Sequence, residues 1–190
     1  MATPTREPNR REQILAAAAA KFARYGFHGV GIDDIGAAVG ISGPALYRHF
    51  RGKEAVLAEM LTGISDTLLA GGRERVGGED PAADLDRLVA WHVGFALGNP
   101  DLITVQARDL DSLGSPDRNR VRERQRAYVE VWVDVLCRLH PGLARSTARA
   151  AAHAAFGLIN STPHSTRLSS GAMTDLLHRM ARAALAEVTG

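Results

Sequence analysis

The sequence predicts an all-α fold of about nine helices, and three observations predict it. Apolar residues recur at spacings of three and four along most of the chain, as on one face of a helix. No stretch shows the period-two alternation of a half-buried strand. Glycine and proline fall between the periodic segments, at Gly26, Gly40, Asn99-Pro100, Ser115-Pro116 and Pro141-Gly142.

The first helix is expected from Arg10, with Leu15, Ala18, Phe22 and Tyr25 as its apolar stripe and Gly26 as its stop. A short second helix carries Ile35 and Val39 into Gly40, which can take the positive φ of a tight turn. Ser42 is a good N-cap for a third helix over Pro44–Phe50, with Leu46 and Phe50 on one side. The fourth runs from Lys53 through Leu57, Leu61, Ile64 and Leu68 and stops at Gly71-Gly72. Residues 77–83 (GGEDPAA) read as a loop. The fifth helix, Ala82–Leu97, turns Leu85, Leu88, Trp91, His92 and Phe95 inward, and a sixth runs to about Leu113. The seventh opens at Ser115-Pro116, holds Val121, Tyr128, Trp132, Val135, Leu136 and Leu139 in register, and ends at Pro141-Gly142. An alanine-rich eighth covers Leu143–Asn160, with Pro163 just beyond it, and a ninth covers Met173–Val188.

Two short helices joined by a glycine turn, the second one polar and basic outside, describe a helix-turn-helix, although an ordinary helical hairpin has the same outline. Such a second helix fits a DNA major groove. Gly43, Pro44 and Ala45 let its backbone come close to base edges, and Arg48 is the candidate for direct base reading. Tyr47, His49 and Lys53 are candidates for phosphate contacts. An N-terminal arm with Arg6, Arg10 and Arg11 is expected to be disordered without DNA and to reach the minor groove. Charge agrees with this placement. Residues 1–53 hold 8 Lys or Arg against 4 Asp or Glu, a net of +4, whereas the remainder holds 15 against 17, a net of −2.

The stretch RREQILAAAAAKFARYGFHGVGIDDIGAAVGISGPALYRHFRGKEAVL resembles the N-terminal DNA-binding domain of TetR-family transcriptional repressors, most specifically in GISGPALYRHFRGKEAVL. Two positions depart from that pattern. Val30-Gly31 stand where the family has a Thr or Ser that caps the second helix and touches a phosphate. Gly36 replaces an Ala, at a helix cost of about 1 kcal/mol. The resemblance implies a helix-turn-helix DNA-binding domain over residues 1–52 and a ligand-binding and dimerisation domain over 53–190. It also implies a homodimer paired through the last two helices, where Ala148, Ala151, Ala152, Ala155 and Phe156 face Leu176, Leu177, Met180, Ala184 and Leu185 as candidate seams, unless both stripes are simply core.

An effector cavity is implied as well. Trp91, His92, Phe95, Gln106, Tyr128, Trp132, Phe156 and Asn160 come from the four central helices of the C-terminal part and suit an apolar or aromatic ligand, although each aromatic is equally an ordinary core residue. Arg108 or the run Arg118–Arg126 could meet the anionic group of an acyl-CoA-like ligand, but such a run is more often a solvated face.

Catalysis is not supported. The chain has no HExxH, no GxSxG, no phosphate loop and no Cys/His metal set, so no cofactor is expected. The nominal pairs His92–Asp109 and His153–Asp134 read better as hydrogen-bonded or solvated histidines. Cys137, the one cysteine, excludes an internal disulfide and reads as a buried, inert thiol. No apolar run suits a membrane span or a signal peptide, so a cytoplasmic protein is expected. Together these readings describe a repressor that binds a palindromic operator as a homodimer and is released by a small effector. An effector-independent architectural DNA-binding protein using the same module is the alternative.

Overall fold

Asn9 opens the first helix by a reciprocal cap: its side chain accepts from the Glu12 N–H at 3.0 Å, and the Glu12 carboxylate accepts from the Asn9 N–H at 2.8 Å. The computed structural model describes residues 9–161 and 168–188, so Arg6 and Pro163 lie outside it. Within those residues the chain forms α1 (Arg10–Tyr25), α2 (Ile32–Ala38), α3 (Gly43–Leu46), α4 (Lys53–Arg73) and α5 (Pro81–Gly98). There follow α6 (Pro100–Asp109), a single 3₁₀ turn (Leu110–Ser112), α7 (Ser115–Leu139), α8 (Arg145–Asn160) and α9 (Ser170–Ala186). The described residues contain nine α-helices and no strand, as the periodicity predicts.

Helices α1–α3 form a small unit against the start of α4, while α4, α5 and α7 make the centre of the remainder, flanked by α8 and α9. One continuous apolar core joins the two parts. The buried face of α1 is Ile14, Ala18, Ala19 and Phe22. Tyr25, expected in that stripe, is exposed beneath Lys21 and Arg24, because α1 packs on α2, α4 and α6 with its face turned toward Ile14.

Helix α4 does not stop at Gly71-Gly72. Both glycines are buried, and they are notches. A Cβ on Gly71 would overlap the Trp91 indole of α5, and one on Gly72 would come within 2.7 Å of the Tyr128 ring of α7. The helix gives up propensity here to let two aromatic rings lie on its backbone. Trp132, fully buried, closes the same layer on α7.

Beyond α4, the connection to α5 is organised by Asp84, whose carboxylate is fully buried. It accepts from the Gly77 N–H at 3.0 Å, the Gly78 N–H at 3.3 Å, Arg138 of α7 at 2.9 Å, and Arg87. Burial alone would push this carboxyl up, but Arg138, the two amides and Arg87 outweigh it and hold it below the ordinary carboxylate range.

The apolar stripes of the last helices divide. Ala148, Ala152, Ala155 and Ile159 of α8 and Met173, Leu177, Ala181 and Leu185 of α9 face inward. Met180 and Ala184, expected in one stripe with Leu177 and Leu185, lie on the outer face.

Two outcomes follow. Gly71→Val should lower stability by about 1–3 kcal/mol through overpacking against Trp91, read as a fall in the denaturant midpoint with an unchanged slope. The depressed Asp84 carboxyl contributes stability that is present above its unfolded value of about 3.9 and is lost as pH falls through its lower folded value. Asp84→Asn should therefore be less stable at neutral pH, and its acid-unfolding profile should be flatter below about pH 4 than that of the native chain.

Candidate nucleic-acid interface and effector cleft

The turn between α2 and α3 is built on glycine at two kinds of position. Gly40 has φ +70°, and the Ile41 N–H returns to the Gly36 carbonyl at 2.9 Å. A Cβ on Gly36 would stand 2.8 Å from the Ile41 carbonyl oxygen, so the Ala expected there does not fit this turn without movement. Gly43 is buried, and any side chain on it would overlap the Asp33 carboxylate. Gly31 caps α2 as expected of a glycine, and its N–H is taken by Asp34 at 2.8 Å. Ser42 stands at the N-cap of α3 but makes no capping bond with its side chain.

Helix α3 is short. It continues to Phe50 through the bonds Arg48 N–H to Ala45 (3.3 Å), His49 N–H to Leu46 (2.8 Å) and Phe50 N–H to Leu46 (3.1 Å). Leu46 and Phe50 are buried, which turns Pro44, Tyr47 and Arg48 outward, with Ala45 and His49 at the edge. Tyr47 is 54% exposed. Neither it nor the Arg48 guanidinium has a side-chain partner among the described residues. A basic, donor-bearing convex face on a short helix is what a major groove accepts.

Three other cations proposed for DNA have internal partners. The Lys53 ammonium donates to the carbonyls of Phe27 (3.1 Å) and Val30 (3.0 Å) and lies 4.6 Å from the centre of the Phe27 ring. Arg11 pairs with Glu59 of α4, donates to the His49 carbonyl at 2.6 Å and covers the Phe50 ring. Arg10 donates to the Val39 carbonyl at 3.0 Å. Arg10 and Arg11 are the first turn of α1 and not a disordered arm.

At the other end of α1, Arg108 of α6 donates to the carbonyls of Phe22 and Ala23 (3.2 Å to Ala23). Its guanidinium is held in place by Asp109, with both contacts at 3.0 Å. Arg108 therefore caps α1, and it does not line the cleft described below. Asp109 is accordingly occupied by Arg108 and does not meet His92, and Asp134 pairs with Arg145, not His153.

A cleft of about 1170 Å³ lies between α1, α4, α5 and α6. Its walls are apolar at Leu15, Met60, Ile64, Trp91, Phe95 and Leu102. Gly63, Gly94 and Gly98 face it, and a Cβ on any of them would meet nothing within 4 Å. Arg75 and Arg87 stand at one end, and Glu12, Glu59 and Asp101 line it too. Of the eight residues proposed for a ligand, only Trp91 and Phe95 line this cleft.

Five of the others, His92, Tyr128, Trp132, Phe156 and Asn160, pack among themselves where α5 meets α7 and α8, whereas Gln106 of α6 stands apart, its side-chain oxygen buried with no hydrogen-bond partner among the described residues. The His92 ring stacks between Phe156 (4.7 Å) and Tyr128 (5.7 Å), with Trp132 edge-on at 6.0 Å. The Asn160 side-chain oxygen can only accept, so His92 Nε2 donates to it at 3.1 Å and Nδ1 accepts the Tyr128 hydroxyl at 3.1 Å. Burial pushes the His92 pKa down to about 4, opposed by Asn160, so the ring is neutral at neutral pH. Burial likewise pushes the Tyr128 hydroxyl up.

These arrangements match known proteins. A family model described as bacterial regulatory proteins, tetR family, matches residues 14–60, and one described as tetracyclin repressor-like, C-terminal domain, matches residues 78–164. A TetR-family transcriptional regulator from Bordetella parapertussis is 30% identical, with a TM-score of 0.82 over 91% of this chain and 94% of that one. The chain belongs to the TetR family of bacterial transcriptional regulators.

The HTH-type transcriptional repressor KstR2 of Mycobacterium tuberculosis is 30% identical over 132 residues, 67% of this chain. The chain spans 65% of that relative's length. The transcriptional regulator FadR of Bacillus subtilis, solved in complex with stearoyl-CoA, shares the fold with a TM-score of 0.72 at 16% identity, over 90% of this chain and 97% of that one. Members of the family to which the chain belongs are regulators and not enzymes.

For this TetR-family chain, sequence reasoning missed the glycine-lined side of α5 and the Asp84 cluster. Gly63 and Gly94 are the signal that was there to find, since an interior helical glycine lacks a reason unless space is needed. The arginine run on α7 is a paired surface, with Arg122 on Asp111 (3.0 Å) and Arg124 on Asp66 (2.9 Å). Cys137 is half-buried, its thiol 3.8 Å from the Leu143 carbonyl. Among the described residues no helix is long and apolar enough to cross a membrane.

The partners of Lys53 predict that Lys53→Ala acts on folding. Removing a charged donor from two carbonyls should cost roughly 1.5–3 kcal/mol of stability. Arg48→Ala should leave the thermal midpoint unchanged, and a melting curve of each variant separates the two roles.

Proposed function

We propose that the chain is a ligand-responsive repressor, which binds a palindromic operator as a homodimer and is released by a small amphipathic effector in the α1–α4–α5–α6 cleft. The observation that carries this reading is the double membership of α1. The same helix packs on α2, buries Ile14 and Phe22 in the shared core, and supplies Leu15, Ala16 and Ala19 to the cleft wall. A molecule in the cleft therefore touches the element that carries the reading face. The stearoyl-CoA held by the Bacillus subtilis regulator supports an acyl thioester as the effector class. An architectural DNA-binding protein has no use for such a cleft.

The division at residue 52 is part of the proposal: a reading head before it, an effector and dimerisation domain after it, in the cytoplasm. Arg48 reads a base edge, Tyr47 and His49 contact phosphates, and Pro44 and Ala45 let the backbone approach the groove. Two copies place their reading faces about 34 Å apart, one turn of DNA. For the dimer seam we assign the outer faces of α8 and α9. Ala150, Ala154 and Gly157 of α8 are exposed, and Met180 of α9 is 46% exposed. Small residues beside one large apolar side chain suit close helix packing.

The test is selection of a preferred DNA sequence by the full chain, followed by variant binding. The selected site should be an inverted repeat. Arg48→Ala should lose about 1–3 kcal/mol on that site and much less on scrambled DNA. Equal losses on both would remove Arg48 from base reading.

A further inference from the structure

Helices α4 and α5 run antiparallel beneath the cleft, which gives it two unlike ends. At the end far from α1 stand Arg75, Arg87 and Trp91; at the α1 end stand Glu12, Glu59 and Asp101. From Arg87 to Gly98 the floor is about 16 Å long at 1.5 Å per residue. Between the ends the floor is opened by Gly63 and Gly94 and walled by Met60, Ile64 and Phe95. We infer that the cleft takes an unbranched apolar chain with an anionic head, the head at Arg75 and Arg87 and the tail toward α1, and that tail length decides whether occupancy releases DNA. This rests on the effector role proposed for the cleft.

Charge sets the orientation. Arg75 spends one donor on the Gly71 carbonyl at 2.7 Å and lies 4.1 Å from the centre of the Trp91 ring. Arg87 donates to the Arg75 carbonyl at 3.0 Å and to Asp84. A guanidinium has five N–H donors, so both retain donors for an anion. At the other end an anionic head would face carboxylates. Shape sets the tail. Gly63 of α4 and Gly94 and Gly98 of α5 leave open space between the apolar walls of Met60, Ile64 and Phe95, which an extended chain can fill along the length of the floor.

Length then sets the response. A short tail that ends near Phe95 touches only α4 and α5. A long one reaches Leu15 and Ala16, on the helix that carries the reading head. A ligand shifts an equilibrium only through contacts that differ between the two states, and α1 supplies that difference.

The experiment uses the full chain with saturated acyl-CoA thioesters and free fatty acids from butyryl to palmitoyl, and the matching fatty alcohols. Binding is read by calorimetry, and release by anisotropy of labelled selected DNA. Affinity should rise about fourfold per added methylene. Release should begin only above a threshold length. Leu15→Ala should move that threshold to longer chains, and Ala16→Leu, at an exposed position, to shorter ones. Arg75→Gln should weaken acids and thioesters and leave alcohols unchanged. Thioesters bound more tightly than acids of equal length would identify the coenzyme as the head, and the reverse a free carboxylate. Alcohols bound as tightly as acids overturn the head assignment. Release by every bound chain overturns the role of the tail but keeps the cleft as the effector site. Absence of binding by any chain overturns both, and leaves Arg48-dependent DNA recognition standing.

Discussion

The first helix is clamped at both ends, and the arrangement of the two halves of the molecule depends on those clamps. At its start, Arg11 joins Glu59 of α4 to the carbonyl that ends the reading helix. At its end, Arg108 of α6 caps the Phe22 and Ala23 carbonyls under the hold of Asp109. Both guanidinium groups donate charge-assisted bonds to carbonyls near a helix end, and at the end of α1 the Ala23 carbonyl gains its partner in this way. Helix α1 is thus tied to α4 at its start and to α6 at its end, two of the helices between which the cleft lies.

Glycine is used for space more than for turns. Gly71 and Gly72 admit the rings of Trp91 and Tyr128, Gly36 admits the backbone of the turn that follows α2, and Gly43 admits the Asp33 side chain. On these four the space is filled. On Gly63, Gly94 and Gly98 it stays empty, and the emptiness is the cleft. Each such residue weakens its helix by up to about 1 kcal/mol, and long flanking segments with good apolar faces offset that loss. The chain thus tolerates weak points inside α4 and α5 where packing elsewhere is dense, around the His92, Tyr128, Trp132 and Phe156 cluster.

Helix α5 shows why a periodic pattern does not locate a pocket. Trp91 and His92 are adjacent in sequence and both fall on its apolar side, yet they serve different spaces. His92 is sealed among α7 and α8 residues, and Trp91 opens onto the cleft. A helix buried on two sides has a wide apolar face, and spacing alone cannot say which part of it meets a filled layer. The same holds for α9, where Leu177 enters the core and Met180 remains outside.

What the sequence determined by itself was local: nine helical periods, their breakers apart from Gly71-Gly72, the glycine turn at Gly40, and a short basic helix with Arg48 on its open side. These follow from neighbouring residues, because helix formation, capping and turn geometry are decided within a few positions. The tertiary structure decided the partners of long side chains and the location of empty volume. Lys53 and Arg11 carry the same charge as Arg48 and lie close to it in sequence, but they reach internal carbonyls and a glutamate. A flexible cation takes whichever acceptor the fold brings within reach. A cleft exists only where helices distant in sequence fail to fill the space between them; helical glycines such as Gly63 and Gly94 mark missing side chains, but not which helix stands across from them.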